Sequence, residues 1–204
     1  MRLATALKNA MLDIWDELLL LAGLNIVWCV GALLIIPMPL VTFGLYFVIK
    51  DLGEGKVIKF KDFFNYARET WKQAYLWAGI NLVVVGLLLV NLRFYAGFVG
   101  QWALVVGMLM AALLTLWLVL QVIVLAIYPR LDEPGFKLAL RNGLIITGRN
   151  PLAMTVLVAI MAAVAFISTI FPAMLIIISI VLIVAIANRI VDEAVVQELK
   201  REAG

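Results

Sequence analysis

The residue types that most often carry catalysis or hold metal ions are scarce in this chain. It has no histidine, and Cys29 is its only cysteine. Histidine-based acid/base chemistry and the commonest zinc and haem ligand sets are therefore excluded. We find no nucleophile beside a base, no glycine-rich phosphate loop and no metal-ligand spacing. The sequence predicts that the chain is not an enzyme and that it uses no cofactor or metal ion.

Four polar side chains stand inside strongly apolar stretches and are the main candidates for a functional site. They are Asn25, Asn81, Gln121 and Ser179. Each lies at a similar distance from the cytoplasmic end of its predicted helix, so we expect one polar layer, roughly 10 to 14 Å deep by helical rise. A polar group in hydrocarbon needs a hydrogen-bond partner. Two interpretations stay open: the groups join neighbouring helices, or they form a site for a small polar solute.

A second candidate feature is a ridge of small residues on one predicted helix. Ala103, Gly107, Ala111 and Thr115 follow one another every four positions. Small side chains at this spacing let another helix approach closely. The ridge therefore predicts tight helix packing, against either this chain or another subunit.

The elements that carry these residues are predicted to be membrane-spanning helices. Of the 204 residues, 66% are hydrophobic and 14% are charged, whereas soluble domains have about half and a quarter. The apolar residues also form long unbroken runs, and a hydrocarbon core needs roughly 20 of them per helix. We predict an all-α, polytopic helical membrane protein with about six transmembrane helices.

The distribution of charge predicts the orientation. Lysine and arginine cluster before the first span, between the second and third, between the fourth and fifth, and after the sixth, whereas only Arg93 falls on the other side. Because cytoplasmic loops retain these residues, both termini are predicted to be cytoplasmic. No charged residue lies in the middle of a predicted span, which argues against transport coupled to protons or sodium ions.

The spans are predicted to form three hairpins, each preceded by an amphipathic stretch at the membrane surface. In chain order the segments are an interfacial helix (1–16), hairpin 1 (17–52), an interfacial helix (57–72), hairpin 2 (73–128), an interfacial segment (135–148), hairpin 3 (151–188) and a cytoplasmic helical tail (189–204). The apolar face of the tail suggests either a partner surface or a solvated helix end.

The first two hairpins look like copies, and the second span is unusual. Residues 22–27 and 78–83 read Ala-Gly-Leu-Asn-Ile-Val and Ala-Gly-Ile-Asn-Leu-Val, seven residues after Trp15 and Trp71. The second span offers only eleven residues from Pro39 to Ile49, which is about 16 Å of helix and too short to cross alone. Its preceding turn either reaches outer water or stops inside the bilayer.

Several of these patterns resemble the YesL-like family of small bacterial membrane proteins, a domain of unknown function. The matching stretches are residues 25–28, Pro39-Leu40-Val41-Thr42-Phe43-Gly44, residues 60–64 with Trp71-Lys72-Gln73-Ala74, and Asn150-Pro151. Family members often continue the Gly44 position with Pro-Ala, whereas Leu45-Tyr46 stand here. The resemblance implies a bacterial cytoplasmic membrane and a link to carbohydrate import, and it implies no known active site.

Two functions are consistent with these features. The first is a non-catalytic accessory or scaffold subunit of a membrane complex, with the lipid bilayer and either another membrane protein or a second copy of the chain as partners. The alternative is a permease component or facilitator for a neutral solute such as a saccharide. Nucleic acid is not expected as a partner.

Overall fold

The fold is entirely helical over the part of the chain that the computed structural model describes, residues 3–202. Arg2, which belongs to the first charge cluster, and the last two residues of the predicted tail lie outside this range. The helices are α1 (Leu3–Asp16), α2 (Leu18–Leu34), α3 (Met38–Gly53), α4 (Phe60–Glu69), α5 (Trp71–Tyr95), α6 (Gln101–Ile127), α7 (Phe136–Arg149), α8 (Pro151–Ile170), α9 (Pro172–Met174) and α10 (Ile180–Glu202). A 3₁₀ turn (Tyr128–Arg130) follows α6, and a π-helical stretch (Leu175–Ser179) joins α9 to α10.

Four helical segments are long and apolar enough to cross a membrane, judged by length and composition. They are Trp71–Tyr95, Gln101–Arg130, Pro151–Ile170 and Pro172–Gln197. The helical class and these apolar segments confirm the coarse prediction. The last segment runs on without a break into the predicted cytoplasmic tail, so hairpin 3 and the tail share one helix.

Helices α3 and α10 form the centre of the molecule. Helix α3 packs against α2, α4, α5 and α10, and α10 packs against α1, α3, α6 and α8. Helices α1 and α10 pack against each other, and Ala10 of α1 and Ala194 of α10 are both buried. The apolar face of the tail, predicted to be either a partner surface or a solvated end, is covered in part by the chain's own first helix.

The turn between α2 and α3 is sharp because of its prolines. Pro37 precedes α3 and Pro39 lies in its first turn, where a missing N–H costs no helical hydrogen bond. Ile35 ends α2 with a φ of +62°, a region that β-branched residues rarely occupy. The hydroxyl of Tyr75 donates a hydrogen bond to the carbonyl of Ile36, 3.1 Å away. The turn is therefore held against the first turns of α5.

Helix α4 crosses α3 at a glycine. A Cβ at Gly44 would lie 2.8 Å from the carbonyl oxygen of Phe63 and 3.3 Å from the Cβ of Ala67. Both Phe63 and Ala67 are buried. The absence of a side chain at Gly44 thus lets the amphipathic α4 lie directly on the central helix.

Candidate functional site

The predicted site residues Asn81 and Gln121 meet between α5 and α6. The Asn81 amide donates to the Oε1 of Gln121 at 3.3 Å, and the indole N–H of Trp77 donates to the same oxygen at 3.0 Å. The indole N–H of Trp117 donates to the Oδ1 of Asn81 at 3.0 Å. An indole nitrogen can only donate, so Trp77 fixes the orientation of the Gln121 amide.

This orientation leaves one half of the Gln121 amide without a partner. Gln121 is 4% exposed, and its Nε2 has no hydrogen-bond acceptor among residues 3–202. A buried amide group without a partner costs about 1–3 kcal/mol. The group is therefore a donor ready for an acceptor that the described residues do not supply.

A cavity of about 340 Å³ adjoins this pair. It lies among six helices and is lined by Trp28 from α2, Met38, Thr42 and Tyr46 from α3, Trp77, Asn81 and Val85 from α5, Leu118, Gln121, Val122 and Leu125 from α6, Met161 from α8, and Ile180, Ile183 and Val184 from α10. Its volume falls in the lower range of ligand pockets, which are typically apolar with a few placed polar groups. No charged side chain of the described residues lines it.

The remaining polar groups of the cavity come from α2 and α3. The indole N–H of Trp28 donates to the Thr42 hydroxyl at 2.9 Å, and that hydroxyl donates to the carbonyl of Met38 at 2.7 Å. Tyr46 is buried and has no side-chain hydrogen bond within the described chain. Tyr46 and Gln121 thus line the cavity and carry polar groups that no described residue engages.

Asn25 does not contact Asn81 or Gln121. It bonds to the π-helical stretch (Leu175–Ser179), which forms a widened turn, and to the first two residues of α10. Its Nδ2 donates to the carbonyls of Leu175 and Ile176 at 2.8 and 2.7 Å, and its Oδ1 accepts the backbone N–H groups of Ile180 and Val181, both at 3.1 Å. Asn25 is completely buried. The single carboxamide of Asn25 therefore bonds to four backbone groups of the neighbouring helical segment. These groups lie where the α-helical hydrogen-bond pattern is interrupted by the π-helical stretch.

Ser179 lies in the same widened turn. Its hydroxyl donates to the carbonyl of Met174, five residues back, at 2.9 Å, and it lies 2.9 Å from the hydroxyl of Ser168 on α8. The four predicted residues thus form two groups. Asn81 and Gln121 border the cavity, whereas Asn25 and Ser179 hold the π-helical stretch.

The small-residue ridge is only partly covered by this chain. Ala103 is buried, but Ala111 and Thr115 are exposed, and a Cβ at Gly107 would meet no described atom within 4 Å. The hydroxyl of Thr115 bonds back to the carbonyl of Ala111 at 2.9 Å. An open groove of about 720 Å³ lies between this part of α6 and the end of α5. No described helix of the chain fills it.

A charged cluster that our sequence reasoning missed lies at the end of α3. The Asp51 carboxylate accepts hydrogen bonds from Lys56 at 2.7 Å, from Lys50 at 3.3 Å and from the hydroxyl of Tyr66 on α4. Burial alone would raise the pKa of Asp51, but these bonds outweigh it and hold the pKa below its ordinary value. The bond to Asp51 also raises the pKa of Tyr66 to about 12. The pair Lys50-Asp51 directly after an apolar run was the available sequence signal.

A second charged contact joins the ends of α6 and α10. Arg130 donates to Asp192 and to the side-chain carbonyl of Asn188, both at 2.7 Å. Among the described residues, no group of three or more histidine, cysteine, aspartate or glutamate side chains is placed to hold a metal ion. The Asp51 cluster and the Arg130 contact therefore link helices to one another.

Comparison of the chain with protein-family models, with curated proteins and with solved structures gave no match. The resemblance to the YesL-like family thus stays a prediction.

Proposed function

We propose that this chain is a non-catalytic integral membrane protein that holds a small, neutral and largely apolar molecule in the cavity beside Gln121. The observation that carries the proposal is the buried, unpartnered Nε2 of Gln121 at an apolar cavity of about 340 Å³. A ligand with one hydrogen-bond acceptor would satisfy that amide while its apolar part fills the remainder. The absence of charge in the lining favours a neutral molecule, since an unpaired ion would be costly to bury.

The residues that line the cavity also favour one chemical class of ligand over another. A saccharide presents many hydroxyl groups, and each one that is buried without a partner carries a desolvation cost. Apart from groups already engaged by protein atoms, the described residues that line the cavity carry only the Tyr46 hydroxyl and the Gln121 amide nitrogen. An alcohol, ketone or ester with an apolar body matches this supply better than a sugar does. If the chain is a facilitator, its solute would bind at this same site during transport.

The proposed membrane arrangement has four crossing segments, α5, α6, α8 and α9–α10, instead of the six predicted from the sequence. Its support is the position of the turn between α2 and α3. Ile36 in this turn bonds to Tyr75, and Pro37 shares a cleft with Trp71, the first residue of α5. A hydrocarbon core about 30 Å thick cannot separate the turn from the start of α5. The turn between α2 and α3 therefore lies at the level where α5 begins, and not across the membrane from it.

Four crossings keep both termini on one side, and the charge distribution makes that side the cytoplasm. The bacterial cytoplasmic membrane follows from the family resemblance alone. Cysteines introduced singly at Pro37 and at Gly97 in a Cys29→Ser background would test this arrangement. We expect an impermeant maleimide added from outside to label Gly97→Cys in intact cells and to leave Pro37→Cys unlabelled. Labelling of Pro37→Cys would restore six crossings.

Ligand binding is tested with 2-acetylnaphthalene, a neutral ketone, and with 2-ethylnaphthalene, which lacks the acceptor. Trp28 and Trp77 line the cavity, so saturable quenching of tryptophan fluorescence in detergent reports occupancy. We expect the protein to bind the ketone about fivefold more tightly than the hydrocarbon, as one hydrogen bond of about 1 kcal/mol implies. Gln121→Leu should remove this difference.

Two further variants complete the design. Val184→Phe should fill the cavity and weaken binding of both probes, whereas Gln101→Leu makes the same chemical change as Gln121→Leu on an exposed part of α6. Equal binding of both probes by the wild type, or an unchanged affinity in Val184→Phe, would contradict the proposal.

A second candidate function, an accessory subunit, is favoured by the open groove beside Gly107. Its test is copurification from the native membrane in mild detergent. Gly107→Leu fills the groove and should release a partner protein or a second copy, whereas Gly79→Leu changes an equally open glycine on α5 and should retain it. A wild-type protein that purifies as a monomer without partners would count against this role.

A further inference from the structure

A second cleft, separate from the cavity beside Gln121, lies where the turn before α3 meets the junction of α4 and α5. It encloses about 500 Å³, and its apolar lining consists of Pro37, Leu40, Val41, Phe64, Ala67 and Trp71. Among the described residues, Arg68 is the one charged residue that lines this cleft. The cleft therefore combines an apolar floor with a cation at its edge.

The surroundings of the cleft are basic. Over residues 59–72 the chain carries four basic side chains (Lys59, Lys61, Arg68 and Lys72) and two acidic ones (Asp62 and Glu69), a net charge of +2. All four basic residues are exposed, and none makes an ion pair with another described residue. The carboxylate of Asp62 is already engaged, because it accepts the backbone N–H of Lys59 at 2.8 Å. An anion at this surface would meet unpaired positive charge.

The aromatic residues around the cleft have the character of a membrane interface. Phe60, Phe64 and Trp71 are 42%, 48% and 51% exposed, and the ammonium group of Lys72 lies 5.6 Å from the ring of Trp71. Amphipathic helices with exposed aromatic and basic residues lie between the headgroups and the acyl chains of a bilayer. Basic pockets between helices on the cytoplasmic side are suited to anionic lipid headgroups.

We infer that this cleft binds one anionic phospholipid, with an acyl chain on the apolar floor and the phosphate beside Arg68 and Lys72. The floor distinguishes the ligand from a free phosphate, which would use the charges alone. The position of Trp71 at the first residue of a membrane-crossing segment distinguishes it from an acidic peptide. The bound lipid would bridge the turn before α3 and the junction of α4 and α5.

Native mass spectrometry of the full-length protein in detergent tests the inference with two lipids, dioleoyl phosphatidylglycerol and dioleoyl phosphatidylcholine. The variant Arg68→Gln/Lys72→Gln removes both charges. The matched control Lys137→Gln/Arg141→Gln removes two exposed charges at the same spacing on α7. One basic residue near an anionic lipid surface contributes about a fivefold difference in affinity. We therefore expect the first variant to bind phosphatidylglycerol about 25-fold more weakly, and the control to bind it like the wild type.

A variant of the floor separates the role of the chain from that of the headgroup. Leu40→Trp should weaken retention of both lipids, whereas Arg68→Gln/Lys72→Gln should weaken retention of phosphatidylglycerol alone. The melting temperature of each variant in lipid-free detergent identifies any loss of folding, and Arg68→Lys/Lys72→Arg, which keeps both charges, should restore binding. Equal retention of phosphatidylglycerol by the wild type and Arg68→Gln/Lys72→Gln, or an equal loss in the control, would overturn the inference.

Discussion

Replacing Asn25 with alanine tests how far one side chain holds the π-helical stretch before α10. The Asn25 carboxamide makes four hydrogen bonds of 2.7 to 3.1 Å to backbone groups of residues 175–181. Alanine removes all four bonds and leaves a small void at a fully buried position. Because water does not reach this position, no solvent molecule replaces the lost amide.

The expected cost follows from these contacts. Side-chain hydrogen bonds between membrane helices are worth about 0.6 kcal/mol each on average, so four of them contribute about 2.4 kcal/mol. Incomplete collapse around the smaller side chain adds to this cost. We expect Asn25→Ala to lower the free energy of unfolding by about 3 kcal/mol. Asn91→Ala is the matched control, since Asn91 is exposed and bonds only to the carbonyl of Leu87 in its own helix.

Unfolding of the purified protein in mixed micelles, followed by circular dichroism during titration with sodium dodecyl sulfate, measures this difference. Hydrogen–deuterium exchange locates it: the amides of Ile180 and Val181 should exchange faster in Asn25→Ala, whereas those of α5 should not change. An unfolding midpoint equal to that of Asn91→Ala would refute the reasoning. So would an increase in exchange spread evenly over the chain.

Two further predictions concern α3. Gly44→Ala would place a Cβ 2.8 Å from the carbonyl oxygen of Phe63 and should lower the free energy of unfolding by about 1–3 kcal/mol. Gly86→Ala is the control, because a Cβ there meets no described atom within 4 Å; it should be neutral or slightly stabilising in the same titration with sodium dodecyl sulfate. Because the pKa of Asp51 is lower in the folded state, its ion pairs contribute stability above about pH 4, and this stability is lost as the pH falls through the folded pKa. Because the pKa of Tyr66 is raised to about 12, its bond contributes below about pH 10 and is lost as the pH rises towards 12. Asp51→Asn should weaken both dependences in thermal unfolding curves recorded across pH, and unchanged curves would contradict the assignment.

The coarse fold could be predicted because a membrane helix is specified by the length of its apolar run. That criterion is a property of one segment at a time, and it identified the four long apolar segments. It left open the position of α3, a helix of 16 residues in which ten are buried, Asp51 among them. Hydropathy records how apolar a segment is but does not record whether lipid or protein covers it. A short helix surrounded by its neighbours and a short crossing helix have the same sequence signature.

The polar positions could be predicted for a related reason, although their partners could not. An amide in an apolar run must find a hydrogen bond, so Asn81 and Gln121 were recognisable as candidates. Their partners Trp77 and Trp117 were not, since an indole N–H can donate to any nearby acceptor and the sequence does not say which one. The backbone groups that bind Asn25 carry no sequence signal at all, because every residue has them and only the widened turn makes them available.

The two similar segments, residues 22–27 and 78–83, show how the neighbouring helix determines the contacts of an asparagine in an apolar run. Asn25 and Asn81 occupy equivalent places in them, yet Asn25 bonds to the backbone before α10 and Asn81 bonds to side chains of α6. The difference arises from the neighbouring helix, which is irregular in the first case and a regular helix carrying Gln121 in the second. Where the neighbour supplies free backbone groups, the amide is saturated and acts as a structural link. Where the neighbour supplies another amide, one donor is left over, and the cavity for the proposed ligand lies beside it. Of these two similar positions, only the one beside the unpartnered Gln121 amide therefore supports the proposed binding role.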